Sequence, residues 1–204
     1  MGGVEDSGLP AGVARALRAA ERVGFSLVRG AGPGPSCCLP AAGRVLAVLA
    51  AGRPGGRFAE LGTGVGAGAA WLASGMDATA TLVTVEADPD RAALATEVLA
   101  GDDRITVLAG DAAVLIPPRA PFDLVFLDTR HPRPAALIDL LAPGGVLVVD
   151  DVTPVAALPA DSPFRTGDPK RALFADRRLV ATEIVLPDLA NSVLVGVRRP
   201  STSG

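Results

Sequence analysis

Short apolar segments alternate with Ala-rich segments along the middle of the chain. The apolar segments are, in order, RFAEL, TLVTVE, RITVLAG, FDLVFLD and GVLVVDD. They are hydrophobic almost throughout rather than at every second residue, which is typical of strands buried on both faces. The segments between them, GAGAAWLASGM, DPDRAALATEVLA, DAAVLIP and RPAALIDLLAP, have the composition of helices. We therefore predict an α/β fold in which helices cover both faces of a parallel sheet.

The two ends of the chain depart from this alternation. Near the N-terminus, Val13 and Leu17 lie on one side of a predicted helix, and AAGRVLAVLAAG predicts a second helix. Near the C-terminus, LVATEIVLP, DLANS and VLVGVRR predict a strand, a turn and a strand, which together form an antiparallel hairpin. Because nothing indicates a domain boundary, we expect one domain over residues 1–204, with an N-terminal helix and loop over 1–39 and the core over 40–198.

Composition and charge narrow the range of partners. A net charge of −3 argues against a nucleic-acid partner, which needs a basic face. No apolar run approaches the length of a transmembrane helix, so we expect no membrane partner. The first residues, MGGVEDSGLP, are acidic and lack the basic region of a secretory signal, which favours a cytoplasmic protein.

The two cysteines, Cys37 and Cys38, are adjacent in the sequence. Neighbouring cysteines rarely form a disulfide, and two thiols with the single histidine, His131, do not make a zinc site. We expect reduced thiols packed near a loop.

A run of glycines follows the first predicted strand. The stretch AELGTGVGAGAAWLA has four glycines at every second position, from Gly62 to Gly68. Gly loses more entropy on ordering than any other residue, so such a run needs a reason. The apolar segments on both sides exclude a flexible linker. Ligands of open parallel sheets bind beyond the carboxyl ends of the strands, so the glycines predict a backbone that a ligand approaches closely.

Acidic residues end the next two predicted strands. Glu86 lies about 22 residues beyond Gly64, where a carboxylate can accept hydrogen bonds from both hydroxyls of a ribose. The alternative role for Glu86 is a charge at a helix N-terminus, but that role suits Asp88 better. Asp111 in the segment GDA can cap the next helix, face an adenine amino group, or do both. A glycine-rich turn alone is weak evidence, because dinucleotide-binding proteins share it. Three signals at three consecutive strand ends favour a nucleoside ligand.

The order and spacing of these motifs resemble one family. AELGTGVG, VTVEADPDRAALA, LAGDA, FDLVFLD and LLAPGGVLVVDD are similar to the motifs of class I S-adenosylmethionine (SAM)-dependent methyltransferases over about residues 40 to 198. LLAPGG and the C-terminal hairpin separate this family from NAD-binding Rossmann proteins. The resemblance implies a Rossmann-like three-layer sandwich whose seven-stranded, mostly parallel sheet has the order 3-2-1-4-5-7-6 with strand 7 antiparallel.

The resemblance also implies SAM as the cofactor. Gly62, Thr63 and Gly64 would line its methionine part, Glu86 its ribose, and Asp111 with Ala112 its adenine. SAM carries no phosphate, so the glycines would give steric access rather than bind an anion. The full set of implied cofactor-binding residues is Glu60, Gly62, Thr63, Gly64, Glu86, Ala87, Gly110, Asp111, Ala112 and Asp128.

More narrowly, the chain resembles the small metal-dependent O-methyltransferases of the catechol and caffeoyl-CoA type. That family has a metal-binding Asp at the end of strand 4 and an Asp-Asn pair at the end of strand 5. Asp128 and Asp150 match the two Asp positions, and Asp151 stands where Asn is usual. The resemblance implies a Mg²⁺ site, since Mg²⁺ prefers oxygen ligands, and the ion would hold two oxygens of a hydroxylated small molecule. Asp150 and Asp151 as turn or cap residues is the alternative.

The family places a basic lysine three residues after the strand-4 Asp, and this sequence has His131 there. Neutral imidazole can take a phenolic proton near pH 7, since its unperturbed pKa is about 6.5. The resemblance therefore implies His131 and Asp128 as catalytic residues. An incidental loop histidine is the alternative interpretation.

These residues predict a SAM-dependent O-methyltransferase that acts on a hydroxyl of a small molecule with metal assistance. The segment between Asp128 and LLAPGG is several residues shorter than in the family. That difference motivates one alternative, a SAM-binding homologue that has lost transfer activity and serves as a regulator or structural partner. A metal-independent methyltransferase and, last, a nicotinamide-dependent enzyme also stay open. Dimers are common in the resembled family, so the resemblance allows a homodimer.

Overall fold

The computed structural model contains a seven-stranded sheet with the strand order β3-β2-β1-β4-β5-β7-β6. It describes residues 8–26, 37–129, 133–163, 165, 170–186 and 191–200. The strands are β1 (Arg57–Leu61), β2 (Thr81–Glu86), β3 (Ile105–Ala109), β4 (Phe122–Leu127), β5 (Leu141–Val152), β6 (Leu179–Val185) and β7 (Ser192–Arg198). β1 to β5 pair in parallel, and β7 is antiparallel to both β5 and β6. The predicted order and the antiparallel last strand are confirmed.

Helices connect the strands and cover the sheet. The α-helices are α1 (Ala11–Arg22), α2 (Pro40–Ala51), α3 (Ala67–Gly75), α4 (Pro89–Leu99) and α5 (Ala112–Leu115), and short 3₁₀ helices include Pro134–Leu140 and Arg171–Ala175. In the part of the chain that the structure describes, no helix is long and apolar enough to cross a membrane.

The segment RPAALIDLLAP differs from its prediction. We expected a helix followed by a strand, whereas the segment forms the 3₁₀ helix, and β5 already begins at Leu141. Leu141 pairs with Phe122 of β4, and a register shift separates this pair from the later pairs of the two strands. Pairing with β4 therefore draws LAPGG into the strand, which a local pattern cannot reveal.

Successive side chains of the central strands enter two different cores. In β4, Leu124 and Phe126 pack on the side of α1 to α4, whereas Val125 and Leu127 pack on the opposite side. All four side chains are fully buried. Both faces of the sheet are therefore covered, which explains why these strands are apolar at every position.

The N-terminal helices form a layer over α3. α1 packs against α3 and α4, and α2 packs against α3. Gly43 of α2 lies against the indole ring of Trp71 in α3, where a Cβ would overlap the ring. Trp71 is buried, and the guanidinium of Arg44 stands 5.9 Å from its ring centroid. This contact fixes α2 close to the helix that follows the glycine-rich loop.

Candidate active site

Two adjoining clefts open at the carboxyl ends of the first four strands. Their cavity volumes are about 170 Å³ and about 280 Å³. The first cleft is lined by Phe25, Cys37, Cys38, Gly62, Thr63, Gly64, Val65, Ala67, Gly68, Glu86, Arg91, Asp128 and Thr129. The second is lined by Leu61, Gly62, Val85, Glu86, Ala87, Arg91, Gly110, Asp111, Ala112, Ala113 and Thr129. Of the predicted cofactor-binding residues, only Glu60 lines neither cleft.

Gly62 brings the ends of β1 and β4 together. Its φ is +96°, a conformation that L side chains rarely adopt, and a Cβ would lie 2.7 Å from the main-chain oxygen of Asp128. The amide of Gly62 donates to the carbonyl of Val85 at the end of β2. The absence of a side chain therefore lets three strand ends meet where the two clefts join.

The later glycines of the run serve the turns and the packing of the protein's own backbone. A Cβ on Gly68 would overlap Oε1 of Glu60, and Gly66, with φ +92°, lies at the start of α3. Gly64, with φ +55°, faces the ring of Phe25 across the first cleft. The left-handed backbone thus explains Gly64, whereas packing of α3 onto the sheet explains Gly68.

Glu86 stands at the boundary of the two clefts with its carboxylate held on several sides. Oε2 accepts the amide of Gly64 at 2.8 Å, and Oε1 accepts the amide of Asp88 at 3.0 Å. Nη2 of Arg91 lies 3.1 Å from Oε1. A carboxylate has about four acceptor positions, so these contacts orient both oxygens and leave capacity for a ligand hydroxyl.

Glu60 acts from beneath the first cleft. It is fully buried, Thr84 Oγ1 donates to its Oε2 at 2.6 Å, and Thr63 Oγ1 is 2.6 Å from Thr84 Oγ1. Burial raises the pKa of Glu60 to about 8, although the Thr84 hydrogen bond opposes the shift. The carboxyl is therefore neutral at pH 7. The hydrogen-bonded row of Glu60, Thr84 and Thr63 fixes the hydroxyl of Thr63. Unlike Glu60, Thr63 lines the first cleft.

The far end of the second cleft is formed after β3. Gly110 has φ +142°, and Asp111 Oδ1 accepts the amide of Ala113 at 2.8 Å, which caps α5. Asp111 also lines the cleft, together with Ala87 and Ala112. The capping role is observed, and it leaves the side chain beside the space for a ligand.

Asp128, Asp150 and Asp151, named here the acidic cluster, lie at the ends of β4 and β5. Burial, and then the charges of Asp150 and Asp151, raise the pKa of Asp128. Burial also raises the pKa of Asp150, whose Oδ1 accepts the amide of Asp151 at 2.7 Å and Nδ2 of Asn191 at 3.2 Å. Asp151 is exposed and has a positive φ of +57°.

The acidic cluster does not fit the Mg²⁺ that the family resemblance implies. Among the described side chains, no group of three or more His, Cys, Asp or Glu residues could hold a metal ion. Oδ1 of Asp150 is already engaged by two donors. Moreover, Nζ of Lys170 donates to the main-chain oxygen of Asp150 at 2.7 Å, so a positive charge already stands beside these carboxyl groups. His131, the predicted base, lies outside the described residues.

Several residues of the clefts escaped the sequence analysis. Arg91 could have been found, because it lies in the first turn of α4 after the cap Asp88 and on the side of Glu86. Phe25, Cys37 and Cys38 carry no local signal, since the packing of α1 on α3 and α4 brings their segment to the cleft. Both thiols are free, and burial raises the pKa of Cys37 to about 12, so it is a neutral thiol.

Known proteins are similar to this chain in sequence and in fold. The family described as "Methyltransferase domain" matches residues 59–152. The chain is 32% identical over 188 residues to the "Probable O-methyltransferase Rv1220c" of Mycobacterium tuberculosis, which covers 81% of this chain and 79% of that protein. Cofactor-bound Rv0187 from MTB is 28% identical, with a TM-score of 0.72 over 96% of this chain and 94% of that chain. TomG from Streptomyces achromogenes, an O-methyltransferase solved with SAM, has the same fold at 24% identity, with a TM-score of 0.73 over 94% of this chain and 91% of that chain.

The sheet order and the paired clefts at its carboxyl edge define a class I SAM-dependent methyltransferase. The identity and coverage of the mycobacterial relative show the family within that class. The chain belongs to the SAM-dependent O-methyltransferases.

Proposed function

We propose that this O-methyltransferase acts on a small hydroxylated molecule, which enters the first cleft beside Asp128. In this proposal the adenosine of SAM occupies the second cleft, and the methionine part lies along Gly62, Thr63 and Gly64. The observation that carries the proposal is the position of Glu86, whose oriented carboxylate stands where the two clefts join. In a ligand that consists of a nucleoside and a charged arm, the ribose lies between the base and the arm. It therefore has to lie where the two clefts join.

The side chains around the clefts have distinct proposed roles. Glu86 accepts the ribose hydroxyls, Asp111 faces the adenine amino group, and the Glu60–Thr84–Thr63 row presents one hydroxyl to the methionine arm. When bound, SAM supplies an electrophilic methyl group, which the acceptor oxygen takes as its proton leaves and SAH is formed. Holding the two reactants in line within attack distance supplies most of the rate.

His131 is the proposed proton acceptor, because it stands three residues after Asp128 in the sequence. His131→Ala should reduce turnover sharply while leaving the affinity for SAH unchanged. Equal turnover in the variant and the parent enzyme would remove His131 from the mechanism.

The proposal also covers the metal requirement, the cellular compartment and the oligomeric state of the enzyme. We propose the metal-independent form of the reaction, because the acidic cluster does not fit Mg²⁺. The cytoplasm is the proposed compartment, since thiols such as Cys37 and Cys38 stay reduced there. A homodimer, like the absence of nucleic-acid and membrane partners, stays a prediction.

A methyl-transfer screen tests this function directly. The enzyme is incubated with SAM carrying a labelled methyl group and a panel of phenols, catechols and aliphatic alcohols, while calorimetry measures SAH binding. We expect SAH to bind and at least one hydroxylated acceptor to be labelled. SAH binding without transfer to any acceptor would favour the regulatory homologue, and failure of SAH to bind would reject both proposals.

A further inference from the structure

The acidic cluster has an electrostatic requirement that the proposed reaction does not address. Burial and the charges of Asp150 and Asp151 raise the pKa of Asp128, and burial and the charge of Asp151 raise the pKa of Asp150. Asp128 is half-buried at the first cleft, and Asp150 is 3% exposed. Buried carboxyl groups gathered in this way need a nearby positive charge when they ionise.

Lys170 is the only lysine of the chain, and its ammonium lies at this cluster. Nζ donates to the main-chain oxygen of Asp150 at 2.7 Å and lies 3.5 Å from the main-chain oxygen of Asp151. Its charge opposes the rise in the pKa of both Asp128 and Asp150. The ammonium therefore acts on carboxyl groups from both strands.

The backbone of β5 is shaped to receive this ammonium. Successive carbonyls of an extended strand point to opposite sides, so one donor cannot reach both. Asp151, which lies between the two carbonyls, has φ +57° instead of an extended value, and both carbonyl oxygens come within reach of one Nζ. Asp tolerates this left-handed conformation better than most residues. The pair of carbonyls holds the charged end of a flexible side chain in one place.

We infer that Lys170 supplies the positive charge of the acidic cluster. Its ammonium excludes a divalent ion and holds these carboxyl groups in the arrangement that the proposed reaction uses. The inference rests on the proposed acceptor position beside Asp128. Lys170 is a positioning residue, since it acts on the acceptor through the acidic cluster. A divalent cation added next to a fixed ammonium would be repelled, whereas removal of the ammonium would leave a cluster of carboxyl groups open to one.

Mn²⁺ binding provides a test that does not depend on turnover. The enzyme with SAH is titrated with Mn²⁺, and bound ion is followed by electron paramagnetic resonance. We expect no saturable site in the parent enzyme or in Lys170→Arg, which keeps the charge, and one new site in Lys170→Met. Arg177→Met is the control, because it removes an exposed cation without touching the cluster.

Turnover of an acceptor found in the methyl-transfer screen gives the second readout. EDTA should leave the parent rate unchanged. Lys170→Met should lose roughly a hundredfold in kcat, as expected for the loss of one fixed electrostatic contact, and Mg²⁺ should restore part of that loss. Circular dichroism checks that the variant is folded.

The outcomes separate this inference from the proposed function. Stoichiometric Mn²⁺ binding to the parent enzyme, or loss of its turnover in EDTA, would overturn the inference while the O-methyltransferase stands. A folded Lys170→Met variant that keeps full turnover and gains no Mn²⁺ site would overturn it as well. Absence of methyl transfer in the screen would count against the proposed function, and the Mn²⁺ titration would still decide the role of Lys170.

Discussion

The two halves of the site are built in different ways. At the ends of β1 to β3, the partners of the polar groups lie in the loop or helix that follows one of these strands: Gly64, Asp88 and Arg91 hold Glu86, and Ala113 holds Asp111. At the ends of β4 and β5, the partners of Asp150 include Lys170 and Asn191, which are 20 and 41 residues away. The first half is built from the turns that follow successive strands, and the second needs segments from later in the chain.

The halves also differ in what surrounds their acidic side chains. Amide donors and a guanidinium surround the carboxylate of Glu86. Both of its oxygens are therefore oriented as acceptors for the hydroxyl groups of a ligand. Asp128 is half-buried and Asp150 is buried, and loss of solvent together with the charge of neighbouring carboxylates raises the pKa of both. Recognition in one half therefore uses a carboxylate that several donors orient, whereas the other half has to offset crowded charges.

Gly62→Ala should give the largest effect, because Gly62 joins the two halves. The substitution adds a strained φ and a contact 2.7 Å from the main-chain oxygen of Asp128, and we expect a loss of about 4 kcal/mol in the free energy of unfolding. Urea unfolding measures it. Gly101→Ala is the matched control, since Gly101 has φ +93° and open space around it, and it should lose only about 1 kcal/mol. Equal losses would show that strain alone, without the clash, explains Gly62.

Glu86→Ala should abolish tight cofactor binding and leave the acceptor half intact. Hydrogen bonds to a charged group contribute about 1.5–3 kcal/mol each, so the loss of the ribose contacts should weaken SAH binding at least about 100-fold. Calorimetry measures the affinity. Glu97→Ala, an exposed change on α4, serves as the control. An unchanged affinity would place the ribose elsewhere.

Glu60→Gln should change how stability depends on pH. The folded-state pKa of Glu60, about 8, is above its ordinary value of 4.5, so the folded protein binds the extra proton between these values. The parent protein therefore loses stability as pH rises, by about 2 kcal/mol between about pH 6 and about pH 8 from this group alone. Urea unfolding across this range should show that the Gln variant lacks this loss. Parallel curves for the two proteins would contradict a neutral, buried Glu60.

Asp111→Asn should give the smallest effect. The Asn side chain can still cap α5 through its oxygen, so only the charge beside the adenine is lost, and SAH binding should weaken by about fivefold, or roughly 1 kcal/mol. Asp88→Asn changes an equivalent cap on α4 and should leave the affinity unchanged. If both variants bind SAH equally well, Asp111 is a cap and nothing more.

The contrast between the halves also explains what the sequence could predict. The place of Glu86 and Asp111 beside the clefts follows from local patterns read in order along the chain, and the strand order follows from the family that these motifs resemble. The role of Gly68 as room for Glu60 needs α3 packed on β1, and the contact of Lys170 with β5 needs a connection that no local pattern describes. Phe25 reaches the cleft only because α1 docks on other helices.

The contact between Trp71 and Gly43 gives the protein a built-in optical reporter. The chain has a single tryptophan and no tyrosine, so near-ultraviolet emission comes from one ring. That ring is buried between α2 and α3, and α3 starts directly after the glycine-rich loop. Any loosening of the N-terminal layer should therefore change the wavelength of this fluorescence without a label.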